Sequence, residues 1–523
     1  MAQGLLPPLQ IPAVDQQVPP TLLTFAPRPR CTFPPLSSMQ RRIRAAVVLA
    51  AAIAAVGFGS CGLPSAWGLP ATRVACGGSG LWRIVQAQWT PPRVARRATT
   101  SPREITRLIS KSPSAPAILS VLEQEMGAAH FNYVHVSAAL HRLALRQRTI
   151  TSKVRRSPVL AEYVGCAKDM LAAGAMEARQ TANMIWAVAN LQKVLPETLG
   201  LLPLLIELAM FKAGEMNIQG LSNIFWAVAK LRNVEPEMKR LVPVLTDMII
   251  DRADDALPQH LSNMLWAAAT MHGELPEALQ LVPVLVEMIS DNFYDANNQD
   301  LSNVLWSIAK LHSKQPEALQ LVPALIETFI DKADDAVPQQ ISNIFWAIAT
   351  MHHKVPEVLT SVPALVAVSS QKVGGMNAQA AANTLWSLSV LQPERDEGVQ
   401  ALVQELQRAT LFWLSKGSML DLSQSVSALA VLDVRDEKLL EATAQHVVAS
   451  LPRMSSRTCF MDLPALIFAF AKFGFHREDL MASVAGRLSS LQPRFSDWGL
   501  CALIWSYNLL DGRHQHARFL AFL

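Results

Sequence analysis

Alternating apolar and polar runs, the mark of half-buried strands, are almost missing from this chain of 523 residues, and its 23 glycines thin out beyond the N-terminal region. With 50% hydrophobic residues, that excludes a sheet-rich domain and leaves an all-α class. The six cysteines, Cys31, Cys61, Cys76, Cys166, Cys459 and Cys501, include no pair at metal-ligand spacing and no close framework. A zinc site and a disulfide scaffold are excluded, and a reducing compartment fits best. No P-loop, no His-Glu-x-x-His helix and no nucleophile elbow occurs. The chain is therefore expected not to be an enzyme and to need neither cofactor nor metal, with His352 and His353 read as a surface pair at a helix end.

What the chain does have is Asn-x-x-Trp, repeated every 40 residues as Asn183/Trp186, Asn223/Trp226, Asn263/Trp266, Asn303/Trp306, Asn343/Trp346 and Asn383/Trp386. A fixed period of this size marks a solenoid of stacked units, none able to bury its apolar face alone. In the unit around Trp306, Leu301, Val304, Leu305, Ile308 and Leu311 fall on the stripe of a 3.6-residue period, while Asn303, Ser307 and Lys310 line another face. Asn217, Asn297 and Asn377 stand where N-caps belong, and Pro258 and Pro338 where a first-turn proline belongs. A second, more apolar helix precedes each motif helix, opened by Pro-Glu at Pro196, Pro236, Pro276, Pro316 and Pro356. Another proline follows seven residues later, at Pro203, Pro243, Pro283, Pro323 and Pro363, so this helix is either kinked there or begins there. The expected fold is an α-solenoid of stacked two-helix repeats of about 40 residues, an array that needs no single core.

The array spans residues 117–523, with regular units over about 160–392 and degenerate ones on both sides, roughly ten in all. His141 takes the tryptophan place before the regular units; Leu422 to Leu432, Leu463 to Phe473 with Phe468, and Leu500 to Leu510 with Trp505 continue the pattern after them. No polar cap is evident before Leu523, an expectation of a shortened C-terminus. Charge is divided unevenly: residues 1–160 hold 19 basic and 4 acidic residues, residues 161–400 hold 15 and 27, and residues 401–523 hold 12 and 11.

Residues 1–38 are Pro-rich and featureless, and residues 39–116 read as a bipartite targeting presequence. Arg41, Arg42 and Arg44 precede the apolar run Ala45 to Phe58 and the small residues Gly59 to Ala66, the layout of a secretory signal. The run is too short and alanine-rich to read as a membrane span, so no stable membrane insertion of the mature protein is expected. Trp67 to Pro116 then has transit-peptide composition, rich in Arg, Ser, Thr and Pro with Glu104 the one acid. Because a signal belongs at an N-terminus, Met39 is the expected start, with residues 1–38 disordered or a gene-model extension, and ordered structure is expected from about Ala117. Ser65-Ala66-Trp67-Gly68-Leu69-Pro70 resembles the junction of bipartite plastid presequences in algae with complex plastids, which implies a plastid address. A mitochondrial presequence or a disordered basic arm is the alternative.

Pro-Gln-x-Ile-Ser-Asn-Ile-Phe-Trp-Ala-Ile-Ala-Thr, Pro338 to Thr350, resembles the core of the octotricopeptide repeat, and the likeness extends over about residues 117–523. That resemblance implies a helical-repeat protein of an organelle that binds single-stranded organellar RNA, supports the stability, processing or translation of particular transcripts, and works alongside other organellar RNA-metabolism proteins. Two departures stand against it: no RAP domain of the kind that closes many relatives precedes Leu523, and the array is acidic where phosphate binding needs Lys and Arg. The alternative reading is a protein-binding scaffold of the HEAT or armadillo kind.

Identical residues in every unit cannot read a varied sequence. The tryptophans are therefore expected to pack between helices, where Trp306→Ala would cost about 3–5 kcal/mol. The asparagines are expected to satisfy backbone groups of a neighbouring helix, with RNA contact as the alternative. Reading would fall to variable positions. Seven residues after Asn these are Asn190, Lys230, Thr270, Lys310, Thr350 and Val390; three residues before it they are Gln180, Gly220, His260, Asp300, Gln340 and Ala380. A third set at the helix end, Gln192, Arg232, His272, His312 and His352, is suited to phosphate or to capping carbonyls. An 80-residue superperiod overlies the 40-residue one: Ala253-Asp254-Asp255-Ala256 recurs as Ala333-Asp334-Asp335-Ala336, and Lys230, Thr270, Lys310, Thr350 alternate with it. Solvated helix positions and duplication of a two-unit block are the plain explanations; alternating base preference is the functional one.

Overall fold

The computed structural model describes residues 100–394, 396–491, 495–510 and 515–523. The expected targeting features before residue 100 lie outside the described residues. Those described belong to one compact unit, residues 78–523, and are helices and short 3₁₀ turns with no strand among them. The chain is an all-α solenoid.

The motif segments form one layer of 14-residue helices, Ala178–Leu191, Ile218–Leu231, Pro258–Met271, Asn298–Leu311, Pro338–Met351 and Ala378–Leu391, each packed on the next. Their starts follow from the cap residues. Asn217 Oδ1 accepts the Gly220 N–H at 3.0 Å, Asn297 Oδ1 accepts those of Gln299 and Asp300, and Asn377 Oδ1 accepts that of Ala380 at 2.8 Å. Pro258 and Pro338 occupy the first helical position, where no N–H is needed. The apolar stripe is buried as its period requires: Leu301, Val304, Leu305, Ile308 and Leu311 are all in the core. Full burial of each such side chain contributes about 1.5–3 kcal/mol, which is what holds a short helix of this kind in place.

The second layer settles the two-proline question. Pro196–Leu201, Pro236–Arg240, Pro276–Leu281, Pro316–Leu321 and Pro356–Ser361 are 3₁₀ turns, and the α-helices begin after them as Leu202–Lys212, Leu241–Ile250, Val282–Asn292, Val322–Asp331 and Val362–Lys372. The second proline lies in the first α turn, where its ring and missing N–H cost nothing, so the helix begins there rather than bending. A further 3₁₀ turn leads into each motif helix after the first, and cations staple successive units across it. Arg252 donates to the carbonyls of Gly214 and Met216, Lys332 to those of Tyr294 (2.6 Å) and Ala296 (2.8 Å), and Lys372 to that of Asp334 (2.7 Å).

Among the described residues the first helix starts at Pro102, ahead of the Ala117 expected. Ser101 caps the helix Pro102–Lys111, whose Ile105 and Ile109 are fully buried against the helix Tyr133–Leu145. Beyond Leu391 the period relaxes: Gln392 turns left-handed, and the next helix, Glu397–Trp413, runs 17 residues before the motif layer resumes with Met419–Val431, Leu463–Lys472 and Asp497–Leu510. No helix among the described residues is long and apolar enough to cross a membrane.

Candidate nucleic-acid interface

Residues three, four and seven apart share a helix face. In each motif helix Asn, the Trp three residues on and the variable residue seven residues on therefore stand in one row. Stacking the helices side by side turns these rows into tracks that run across the array.

The tryptophan track is a continuous ladder. Ring centroids of Trp186, Trp226, Trp266, Trp306 and Trp346 follow one another at 6.5, 6.3, 6.3 and 6.1 Å with interplanar angles of 29–37°, and His141 extends the file at 5.0 Å from Trp186. These indoles pack against the core yet remain half-buried; only Trp386, at 7% exposure, is fully inside. Packing is therefore half of their environment rather than all of it. None of the five indole N–H groups meets a protein acceptor among the described residues or is sealed from solvent, whereas Trp413 donates to the Met376 carbonyl at 3.0 Å. A base sandwiched between two rings needs about 3.5–4.0 Å of clearance on each side, more than this spacing leaves. The ladder thus offers ring edges and N–H donors, not slots.

The asparagine track differs from what was expected of it. All six side chains are half-exposed, and Asn183, Asn223, Asn263 and Asn343 make no side-chain hydrogen bond among the described residues. Asn303 and Asn383 accept from Gln299 Nε2 (2.9 Å) and Gln424 Nε2 (3.3 Å). None satisfies a neighbouring helix's backbone, so these carboxamides keep donors and acceptors for something outside. One turn earlier lies a track that sequence reasoning passed over: Gln219, Gln259, Gln299, Gln339 and Gln379, all exposed, with Arg179 in the first unit. Its signal was present, since glutamine recurs at that place in five consecutive units.

The position seven residues after Asn sits between successive rings. Lys230 Nζ lies 5.3 Å from the Trp226 centroid and 5.1 Å from that of Trp266; Lys310 Nζ repeats the arrangement at 5.7 and 5.6 Å from Trp306 and Trp346. Burial, and the nearby charge of Lys193, hold the Lys230 ammonium below its ordinary pKa. Asn190 Nδ2 and Thr350 Oγ1 each donate at 2.8 Å to the tryptophan carbonyl one turn back, while the Thr270 hydroxyl oxygen is sealed from solvent without a partner. Val390 is half-buried.

The position three residues before Asn faces the neighbouring unit instead. His260 Nδ1 accepts the Leu257 N–H, and Gln340 Oε1 accepts that of Val337 at 2.9 Å. Asp300, 4% exposed, accepts from Ser262 Oγ at 2.8 Å. Burial raises the Asp300 carboxyl and lowers the His260 imidazole, each opposed by the other. Gln180 is half-buried with its side-chain oxygen sealed, and Gly220 and Ala380 are buried. These residues cap and join units.

The helix-end set takes the carbonyl role. Gln192, Arg232, His272, His312 and His352 donate to Ala189, Ala229, Ala269, Ala309 and Ala349 respectively, the carbonyl three residues back in every case. Arg232, 2% exposed, also donates to the Thr270 carbonyl and to Glu274, which Lys239 holds from the other side at 2.8 Å. His353, which is exposed, stands 6.1 Å from His312 and 5.8 Å from His352 in edge contact. No group of three or more His, Cys, Asp or Glu placed to hold a metal lies among the described residues.

The charges of the array are divided between its two layers. Of the 27 carboxylates in residues 161–400, the six motif helices contain one, and it is the buried Asp300. The others decorate the second layer and its turns, as in Glu207, Asp247, Glu287 and Glu327 at 40-residue intervals. The motif face itself carries Arg179, Lys230 and Lys310. No protein-family model matches the chain, and no curated protein matches it either.

Proposed function

We propose that this chain is an organellar RNA-binding protein that lays a single strand along its motif face and so supports the stability, processing or translation of particular transcripts, with the plastid as its destination and the mitochondrion as the alternative. One observation carries the reading: a face on which indole edges and open carboxamides recur from unit to unit, with Lys230 and Lys310 set between alternate rings and the motif helices' one carboxylate, Asp300, buried. Aromatic groups, amides and cations in repetition are what a single strand with exposed bases requires. The likeness of Pro338 to Thr350 to the octotricopeptide repeat supports it independently of the geometry.

A second reading is favoured by the other layer. Its recurring Glu and Asp side chains suit a basic protein partner, as on a HEAT or armadillo scaffold. Binding of a fluorescent randomised single-stranded RNA to the purified protein across a salt series separates the two. Binding whose logarithm falls linearly with that of the salt, together with weaker binding of duplex RNA, is the expected result. A folded protein that binds no RNA at low salt would transfer the function to the scaffold reading.

A further inference from the structure

Three imidazoles at the ends of two neighbouring motif helices form a cluster that neither the core nor the indole ladder uses. His312 ends the helix of the Trp306 unit and His352 that of the Trp346 unit, while His353 meets both edge-on, 6.1 and 5.8 Å away at interplanar angles of 84°. Lys354 follows in the same turn. His353 and Lys354 are exposed, and neither side chain makes a hydrogen bond or ion pair among the described residues. Helical spacing sets the cluster at the edge of the motif face, because the row Asn343, Trp346, Thr350 runs on to His353 at steps of three, four and three residues. The turn keeps winding there: the Lys354 and Val355 N–H groups both bond to the Met351 carbonyl, at 2.8 and 3.1 Å. Earlier units place Lys193, Asn233, Gly273 and Ser313 at this point, so the regular array contains the cluster once.

Hydrogen bonding sets the chemistry of two of the rings. A carbonyl only accepts, so the Nδ1 that meets Ala309 in His312 (2.7 Å) and Ala349 in His352 (3.0 Å) carries the hydrogen. Nε2 of the neutral ring is then a lone pair. Neither Nε2 has a protein partner among the described residues, and neither is sealed from solvent. A phosphate oxygen is repelled by that lone pair, whereas a proton on Nε2 converts it into a charged donor. The surrounding charge acts in the same direction. Burial and the charges of His352, His312 and Lys354 lower the His353 pKa, and no carboxylate is among the groups that act on it. At this end of the adjoining elements, His272 and Lys314 are further cationic or protonatable groups, Glu274 is committed to Arg232 and Lys239, and Glu317, Glu357 and Glu394 are exposed.

Resting on the RNA-binding reading, we propose that His312, His352, His353 and Lys354 form a proton-gated site for a backbone phosphate of the bound strand, at the junction of the Trp306 and Trp346 units. An anion set among these groups relieves their mutual repulsion and raises their affinity for protons. Binding therefore takes up protons, so affinity is high below the histidine range and falls as pH climbs through it.

The test is binding of fluorescent randomised single-stranded RNA to the full chain across a salt series at about pH 5.5 and about pH 7.5, on either side of the histidine range. The parent should bind roughly tenfold tighter at the lower pH, with a salt slope steeper by about 0.7, the value for one phosphate of a single strand. Changing His312→Gln, His352→Gln and His353→Gln together removes the titration and keeps the carbonyl caps, since Gln192 makes the same bond in its own unit. That variant should bind alike at both pH values, at the parent's weaker level. His353→Lys supplies a fixed cation and should bring binding at the higher pH toward the parent's acid level. Each variant is first matched to the parent by circular dichroism at both pH values. Equal binding by the parent at both pH values, or a pH ratio that survives the triple change, overturns the proposal and leaves RNA binding standing. Saturable calorimetric binding of inorganic phosphate that the triple change abolishes, with RNA affinity unaffected by that change, would assign the cluster to free phosphate instead of the strand. A folded parent that binds no RNA at either pH removes the proposal together with the RNA-binding function beneath it.

Discussion

Replacing Trp306 by alanine tests how the ladder is built. A fully buried tryptophan would cost about 3–5 kcal/mol. Trp306 is half-buried, so roughly half of that burial is at stake. Its ring neighbours, Trp266 at 6.3 Å and Trp346 at 6.1 Å, stand near the far limit of aromatic contact, and the Lys310 ammonium at 5.7 Å is half-buried. Together these contribute at most about 1 kcal/mol more. The expected loss is about 2–3 kcal/mol. Leu305, next in sequence and fully buried, should cost about 3–5 kcal/mol as Leu305→Ala although it is the smaller side chain. Units of a solenoid open locally, so the measurement is hydrogen exchange of residues 298–311 alongside urea unfolding of the whole chain. If Trp306→Ala proves costlier than Leu305→Ala, the indole is a core residue and the account of an edge-exposed ladder is wrong.

Asn343→Ala should change stability by under about 0.5 kcal/mol, because its half-exposed carboxamide has no partner among the described residues, and on the proposed role should weaken RNA binding; a large stability loss would mean it is structural. Burial raises the Glu274 carboxyl, but hydrogen bonds from Lys239 and Arg232 outweigh it and leave the group below its ordinary range. That stabilisation is present at neutral pH and lost only as pH falls through the lowered value, so Glu274→Gln should cost about 2 kcal/mol at pH 7 and flatten the acid limb of a stability–pH curve. Asp462 behaves in the opposite sense: burial and the Asp421 charge, opposed by Arg457, raise its pKa to about 6. Stability should fall as pH climbs from about 4 to 6, and Asp462→Asn should add about 2–3 kcal/mol at pH 7 and nothing below pH 4, which thermal melts across that range would show.

The 40-residue period, the motif helices, their asparagine and proline starts and the apolar stripe were all legible in the sequence, because each depends on spacing along one helix. What spacing does not contain is which face a neighbouring unit covers. His260, Asp300 and Gln340 look as solvent-facing as Lys230 in the sequence, yet His260 and Gln340 close onto the start of their own helix, and Asp300 and Gln340 also bond the adjoining unit. The asparagines went the other way, onto the open surface. The double proline was ambiguous because α and 3₁₀ turns tolerate it equally. The scarcity of glycine acquires a cause as well: Gln192, Arg232, His272, His312 and His352 close their helices by side chain, so these ends need no left-handed residue. By contrast Gly174 and Gly474, at φ 66° and 64°, follow the helices Pro158–Ala172 and Leu463–Lys472.

The separation of charge between the layers also governs how an encounter begins. A polyanion drifting toward the second layer meets a carboxylate in nearly every unit and is turned away within about 8 Å, the screening length at physiological salt. Approach over the motif layer meets no such barrier. On the proposed RNA-binding role, the acidic side would work as a filter on collision geometry: it would remove unproductive adhesion of nucleic acid to the back of the array, where a uniformly basic protein would let strands stick in any orientation. Neutralising Glu207, Asp247, Glu287 and Glu327 would be expected to raise total RNA uptake while making it less selective, a protein that binds more and discriminates less.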